Sequence, residues 1–159
     1  MALSISCAVN QSIKKINLSY SIKARQLEAI TYILEGKDTL AILPTSIGKS
    51  LIYQLLPEVC RLLEDQSCNP VVLVVSPLKA LINDQVKEAN NLNNSLGLSA
   101  CTISTSNDLA TAKKEKHNML FGIPEVWLQP SIKKFLSGTY FRDNIVCVIV
   151  DEAHKVATW

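Results

Sequence analysis

No two of the five cysteines (Cys7, Cys60, Cys68, Cys101, Cys147) stand in a C-x2-C pair, which argues against both a zinc site and a disulfide framework. An odd, scattered set of thiols points to a reducing intracellular compartment, the nucleus in a eukaryote and the cytoplasm otherwise. No apolar run reaches the roughly 18–20 residues of a membrane span. Met1 to Asn10 lacks the early positive charge and long apolar stretch of a secretory signal. Charge of one sign is missing too: 16 Lys and Arg face 14 Asp and Glu, a net charge of +2. That balance excludes a strongly basic nucleic-acid arm, so any such contact must come from a local patch. Repeats and low-complexity segments are also absent. With 159 residues, 48% hydrophobic and 19% charged, the chain suits about one domain with a normal core.

Helical and strand-like segments alternate along it. Ser4 to Ile16 carries a weak helical pattern. Ala24, Leu27, Ile30 and Leu34 recur at helical spacing, and Gly36 follows as a stop. Thr39 to Leu43 reads as a short buried strand running into Pro44-Thr45-Ser46-Ile47-Gly48-Lys49-Ser50, and Leu51 to Leu63 is again helical. Val71 to Val75 is a continuous β-branched run of the kind that a sheet covered on both faces requires. After Pro77, Leu78 to Asn91 places Leu78, Leu81, Ile82, Val86 and Ala89 on one helical face. Strands are expected at 98–103 and 118–121, helices at 109–116 and 132–136, and the clearest strand runs from Ile145 to Val150. The expected architecture is α/β, a parallel sheet flanked by helices.

Chemistry concentrates at two places. Gly48-Lys49-Ser50 lies between a strand and a helix, and a helix N-terminus offers unpaired N–H groups and partial positive charge to phosphate oxygens. Gly48 allows close backbone approach, Lys49 can reach the β- and γ-phosphates of ATP, and the Ser50 hydroxyl can ligate Mg²⁺. The tripeptide arises by chance in roughly one chain in ten of this size, so its setting carries the assignment. Leu43 stands where the G-x-x-x-x-G-K-S/T pattern has its first glycine. The second place is Asp151-Glu152-Ala153-His154, directly after an apolar strand, at the sheet edge where parallel sheets bind ligands. Asp151 suits Mg²⁺, and Glu152 suits orienting and deprotonating a water. Two carboxylates and a histidine also suit the start of a surface helix. A phosphate loop about a hundred residues upstream favours the catalytic reading.

Together these motifs resemble superfamily 2 helicases, and more narrowly the RecQ family. Residues 75–86, Val75-Ser76-Pro77-Leu78 through Asp84-Gln85-Val86, resemble its V-S-P-L-x-x-L-x-x-D-Q-V segment. Residues 151–159, Asp151-Glu152-Ala153-His154 through Trp159, resemble its D-E-A-H-C-x-S-x-W stretch, and Pro124-Glu125 fits its P-E pair. The resemblance implies a partial RecA-like lobe over residues 20–159, with 1–19 as a lead segment, and ATP-dependent 3′-to-5′ DNA unwinding in repair, recombination and replication. It implies ATP contacts by Gln26 (adenine), Thr45, Ser46, Gly48, Lys49 and Ser50. It also implies DNA contacts by Ser76, Pro77, Leu78, Lys79 and Trp159, with Thr102 to Thr105 and Glu125 nearby, and a coupling role for His154.

Several positions depart from the family pattern. Lys23 replaces an Arg, which keeps the charge but loses the planar fork. Ser46 replaces a glycine where the loop can require positive φ, a change disfavoured by about 1 kcal/mol or more. Lys155 replaces the Cys after D-E-A-H. Lys113, Lys114 and Lys116 read as a solvated face, and Phe121 and Trp127 as core. The second lobe with its arginine finger is missing from this chain, and ending at Trp159 is expected to reflect truncation, with the fragment alone inactive. Two alternatives stay open: a non-catalytic nucleotide- or single-stranded-DNA-binding module, and an RNA-directed D-E-A-H-type helicase.

Overall fold

Val71–Val75 (β1) is hydrogen-bonded on both edges, to Met119–Gly122 (β3) on one side and to Ile145–Val150 (β4) on the other. Ala100–Thr102 (β2) pairs with the far side of β3, and all pairings are parallel, in the order β2-β3-β1-β4. These relations come from a computed structural model that describes residues 3–16, 21–44, 48–64 and 69–153.

Alternation along β1 explains why its residues are apolar without a break. Val72 and Val74 enter one core, with Ile52, Leu55, Leu56 and Val59 of the helix Lys49–Leu63 (α3). Val71 and Leu73 enter a second core on the opposite face, with Leu109, Trp127, Ile132 and Phe141. A strand whose two faces are both covered has no side for polar residues. The first core also takes in Ile5–Lys15 (α1), Ala24–Leu34 (α2) and Lys79–Asn91 (α4), through Ala8, Val9, Ile30, Ile82 and Ala89. The second is closed by Ser106–Lys114 (α6) and Pro130–Leu136 (α8).

Local signals set the helix starts. Ser4 caps α1 by accepting from the Cys7 N–H. Thr105 and Asp108 form a reciprocal capping box on α6, which satisfies amides that a helix start leaves open. In α3, the largely buried Glu58 pairs with Lys15 of α1 and with Arg61. Arg61 also donates to the Leu96 carbonyl at 2.6 Å. One carboxylate thereby joins α1 to the sheet-covering helix.

The expected strands and helices other than the one at 39–43 are present, within a few residues of their expected ends. Three short helices, Asn93–Leu96 (α5), Pro124–Trp127 (α7) and Thr139–Asn144 (α9), were not expected; a helix of four to six residues is too short to show a hydrophobic period. Phe121 and Trp127 are core residues, and Lys113, Lys114 and Lys116 are exposed.

Thr39 to Leu43 is a correction: this run forms no strand, and Leu40 and Ile42 are 78% and 82% exposed. A central strand needs neighbours on its edges and cover on its faces. Among the described residues the strand edge nearest this run is the outer edge of β4, and Val148 and Val150 on that strand are themselves exposed. The run lies instead across a groove from β4.

Candidate functional site

β1 and β4 leave the sheet side by side. Val75 is the partner of Val150, and the next N–H, that of Asp151, still donates to the Val75 carbonyl at 2.9 Å. Ser76-Pro77-Leu78-Lys79 and Asp151-Glu152 therefore emerge from adjacent strands at the same C-terminal edge, where open parallel sheets bind ligands.

α3 begins at this edge too. Its N-cap is Gly48, held at φ 74°, ψ 58°, a left-handed conformation that costs a residue with a Cβ about 1–2 kcal/mol. Lys49 follows as the first helical residue, and it lines a groove of about 910 Å³ together with Tyr53, Asp151 and Glu152. The opposing wall is the apolar run Thr39 to Leu43, and Cys147 and Ile149 form part of the β4 wall. A cation at a helix N-terminus and two carboxylates lining one groove is an arrangement that suits a polyanion carrying a divalent cation.

Hydrogen bonds fix the Asp151 carboxylate. Asp151 accepts from Gln85 Nε2 at 2.7 Å on Oδ2 and from the Glu152 N–H at 2.9 Å on Oδ1. Glu152 has φ 52°, uncommon outside glycine, and strain of this sort clusters at functional sites. Burial, then the charges of Asp151 and Glu88, push the Tyr53 hydroxyl above its ordinary pKa, so it stays neutral behind the acids. Burial likewise pushes the Cys147 thiol up to about 12, leaving the groove wall uncharged there at neutral pH.

The remaining expected residues fall in several places. Gln26 is fully buried and is not part of the groove. Its Oε1 accepts from the Lys23 N–H at 2.9 Å, and its Nε2 donates to the Gly48 carbonyl at 3.1 Å. It thus braces the start of α2 against the residue that opens α3. Ser50 is half-buried on the first turn of α3 and does not line the groove. Ser76 is fully buried, its N–H bonded to the Gly122 carbonyl, and its hydroxyl has no partner among the described residues. Leu78 and Lys79 are exposed and Pro77 half-buried. Glu125 is exposed at the start of α7. Thr45, Ser46, His154 and Trp159 lie outside the described residues.

Gln85 lies inside the D-Q-V segment, but nothing in the sequence pairs it with Asp151, 66 residues away. Sequence reasoning also missed the backbone role of Gln26, for which a Gln three residues after a helix cap was an available signal.

The profile of the family described as DEAD/DEAH box helicase matches residues 23–159. The chain belongs to that family. Among curated relatives, this DEAD/DEAH box lobe is 36% identical over 143 residues to the ATP-dependent DNA helicase hus2/rqh1 of Schizosaccharomyces pombe, covering 86% of the chain and 10% of the relative. It is 30% identical over 146 residues to the ATP-dependent helicase SGS1 of Saccharomyces cerevisiae, again 86% and 10%. It is 28% identical over 143 residues to the ATP-dependent DNA helicase RecQ of Haemophilus influenzae, 87% and 21%. The chain thus spans about a tenth of the two yeast relatives and about a fifth of the bacterial one. A crystal structure of the DUF1998 helicase MrfA bound to DNA and AMPPNP superimposes with a TM-score of 0.73 at 20% identity, covering 93% of this chain and 21% of that one. The likeness shows that the DEAD/DEAH box lobe has the fold of a helicase motor domain.

Proposed function

We propose that this chain is the first motor lobe of a RecQ-type, ATP-dependent DNA helicase that unwinds with 3′-to-5′ polarity. The observation that carries it is the convergence of the Gly48–Lys49 helix start and the Asp151–Glu152 pair on one groove. Lys49 would neutralise the phosphates, the α3 amides would bind their oxygens, and Glu152 would orient and deprotonate the attacking water.

The residues fit Mg²⁺ in its usual mode with nucleotides, where one or two carboxylates and the phosphates share the ion with waters. No group of three or more His, Cys, Asp or Glu forms a cation cage among the described residues. Each Asp151 oxygen carries one N–H bond and keeps a lone pair for a bound water. Ser50, on the first turn of α3 but outside the groove lining, would have to turn its hydroxyl towards the groove to supply a second oxygen. The ion would offset phosphate charge, and the chain's part is to hold Asp151 and Ser50 towards it. Gln26 would have to exchange its Gly48 bond before reading adenine, so its support for ATP is first of all the bracing of the loop.

The exposed Leu78–Lys79 segment beside the carboxylates supports DNA contact at the same edge, and the curated relatives are named as DNA helicases. DNA repair, recombination and replication, an intracellular location, and roles for His154 and Trp159 belong to the same proposal. Hydrolysis at a lobe interface needs an Arg from a second lobe, so the test uses the complete gene product. It should hydrolyse ATP with stimulation by single-stranded DNA and unwind a 3′-tailed DNA duplex in preference to an RNA duplex. Lys49→Ala and Glu152→Gln should each lower turnover at least about 100-fold. DNA-independent, Lys49-independent hydrolysis would overturn the proposal, and preference for the RNA duplex would redirect it to an RNA helicase.

A further inference from the structure

We infer that Gln85 is a positioning residue for Asp151, joining the metal-side carboxylate to α4, the helix that starts at the exposed Lys79. The inference rests on the nucleotide reading above. Gln85 Nε2 lies 2.7 Å from Asp151 Oδ2, across 66 residues of sequence, and 3.5 Å from the Tyr53 hydroxyl. Tyr53 is itself buried, in α3, three residues after Ser50. The amide therefore stands where three elements meet: α3 from the phosphate side, β4 through Asp151, and α4.

Two features separate this contact from ordinary packing. The other end of the amide, Oε1, is buried with no partner among the described residues. A buried carbonyl left in that state is unfavourable and calls for an explanation. Holding Asp151 supplies one, because the amide cannot turn to satisfy Oε1 without giving up the Asp151 bond. The second feature is the choice of an uncharged donor. Lys or Arg at position 85 would hold the carboxylate and also cancel the charge that attracts a cation. A carboxamide orients Asp151 and leaves that charge in place. With the Glu152 N–H on Oδ1, both oxygens are set, and the plane of the carboxylate is fixed before any ligand arrives. Loss of an outer contact of this kind typically costs about 10–100-fold in metal affinity or activity.

α4 begins one residue after Leu78, and Gln85 lies two turns further along it. A displacement of that helix start by bound nucleic acid would be carried by a rigid helix to the Asp151 bond.

The experiment titrates labelled ATP against the complete protein over a series of Mg²⁺ concentrations and again in EDTA, with ATP turnover measured alongside. Gln85→Met keeps the side-chain length and removes the hydrogen bond. It should raise the Mg²⁺ concentration for half-maximal effect about 10-fold, lower kcat more than it raises the KM for ATP, and leave affinity in EDTA unchanged. Gln85→Asn, which keeps the amide but withdraws it by one methylene, should shift the Mg²⁺ midpoint in the same direction by less, and it serves if Gln85→Met does not fold. A wild-type Mg²⁺ midpoint in a folded variant would overturn the inference. Lys49→Ala separates the two levels. If it weakens ATP binding while the Gln85 variants behave as wild type, only the positioning role is wrong. If Lys49→Ala binds ATP as wild type does, the nucleotide reading fails and the role of Gln85 fails with it.

Discussion

Val71 to Val75 and Thr39 to Leu43 are two short apolar runs that look alike in sequence and differ completely in structure. The first is the centre of the sheet, with strands on both edges and helices on both faces. The second forms no strand and leaves Leu40 and Ile42 largely in solvent. Composition cannot separate them, because a buried strand's apolar character records the surfaces around it. β1 has those surfaces among the described residues, whereas Thr39 to Leu43 lies across a groove from the outer edge of β4. The contrast bears on function, since the groove that separates the second run from β4 is also the one lined by Lys49, Asp151 and Glu152.

The contrast can be broken most severely at β1. Val74 is fully buried between Phe121 and Ile149 in the paired strands. Val74→Asp should cost several kcal/mol, enough to abolish cooperative thermal unfolding in a domain with the usual 5–15 kcal/mol or so of stability. A well-formed melt for that variant would show that β1 is not the centre of the core. A smaller loss is expected at Gly122, where a Cβ would come within 2.8 Å of Trp127 Nε1, on a ring that also donates to the Val74 carbonyl. Gly122→Ala should lower stability by about 1–3 kcal/mol, read as a fall in denaturation midpoint with unchanged slope.

On the groove side, Gly48→Ala forces a Cβ into the left-handed region at φ 74°. Because that conformation is present before any nucleotide binds, the substitution should lower stability by about 1–2 kcal/mol with or without ATP, read as a fall in denaturation midpoint. The smallest effect belongs to the exposed run. Ile42→Asp should alter unfolding free energy by no more than about 0.5 kcal/mol, a result that sets it against Val74→Asp by chemistry identical in kind. A large loss at Ile42 would mean that the run is paired and buried after all.

The legible parts of the fold were those in which one segment carries its own periodicity. α2, α3 and α4 repeat apolar residues at helical spacing, and β1 and β4 are unbroken apolar runs rich in β-branched residues. The site was legible where a residue type and its neighbours specify chemistry, as Gly48-Lys49 and Asp151-Glu152 do. What stayed hidden depends on partners distant in sequence. Gln85 gains its meaning from Asp151, and the burial of Ser76 comes from Gly122 and the strand beside it. The failure of Thr39 to Leu43 to become a strand likewise depends on what its edge meets. Gln26 was noticed for its carboxamide, but the groups it bonds are the backbone of Lys23 and Gly48, which no local pattern names together.

Hydrogen exchange on the 159-residue chain, with and without ATP and Mg²⁺, tests the account most directly, because it reads both runs and the groove at once. Amides of Val72 to Val75 should exchange slowly in either condition, and those of Thr39 to Leu43 should exchange rapidly without nucleotide. Adding ATP should slow exchange at the start of α3, around Lys49 to Leu51, and leave β1 unchanged. Protection of Thr39 to Leu43 equal to that of β1 in the absence of ligand, or no change around Lys49 when ATP is added at saturating concentration, would contradict it.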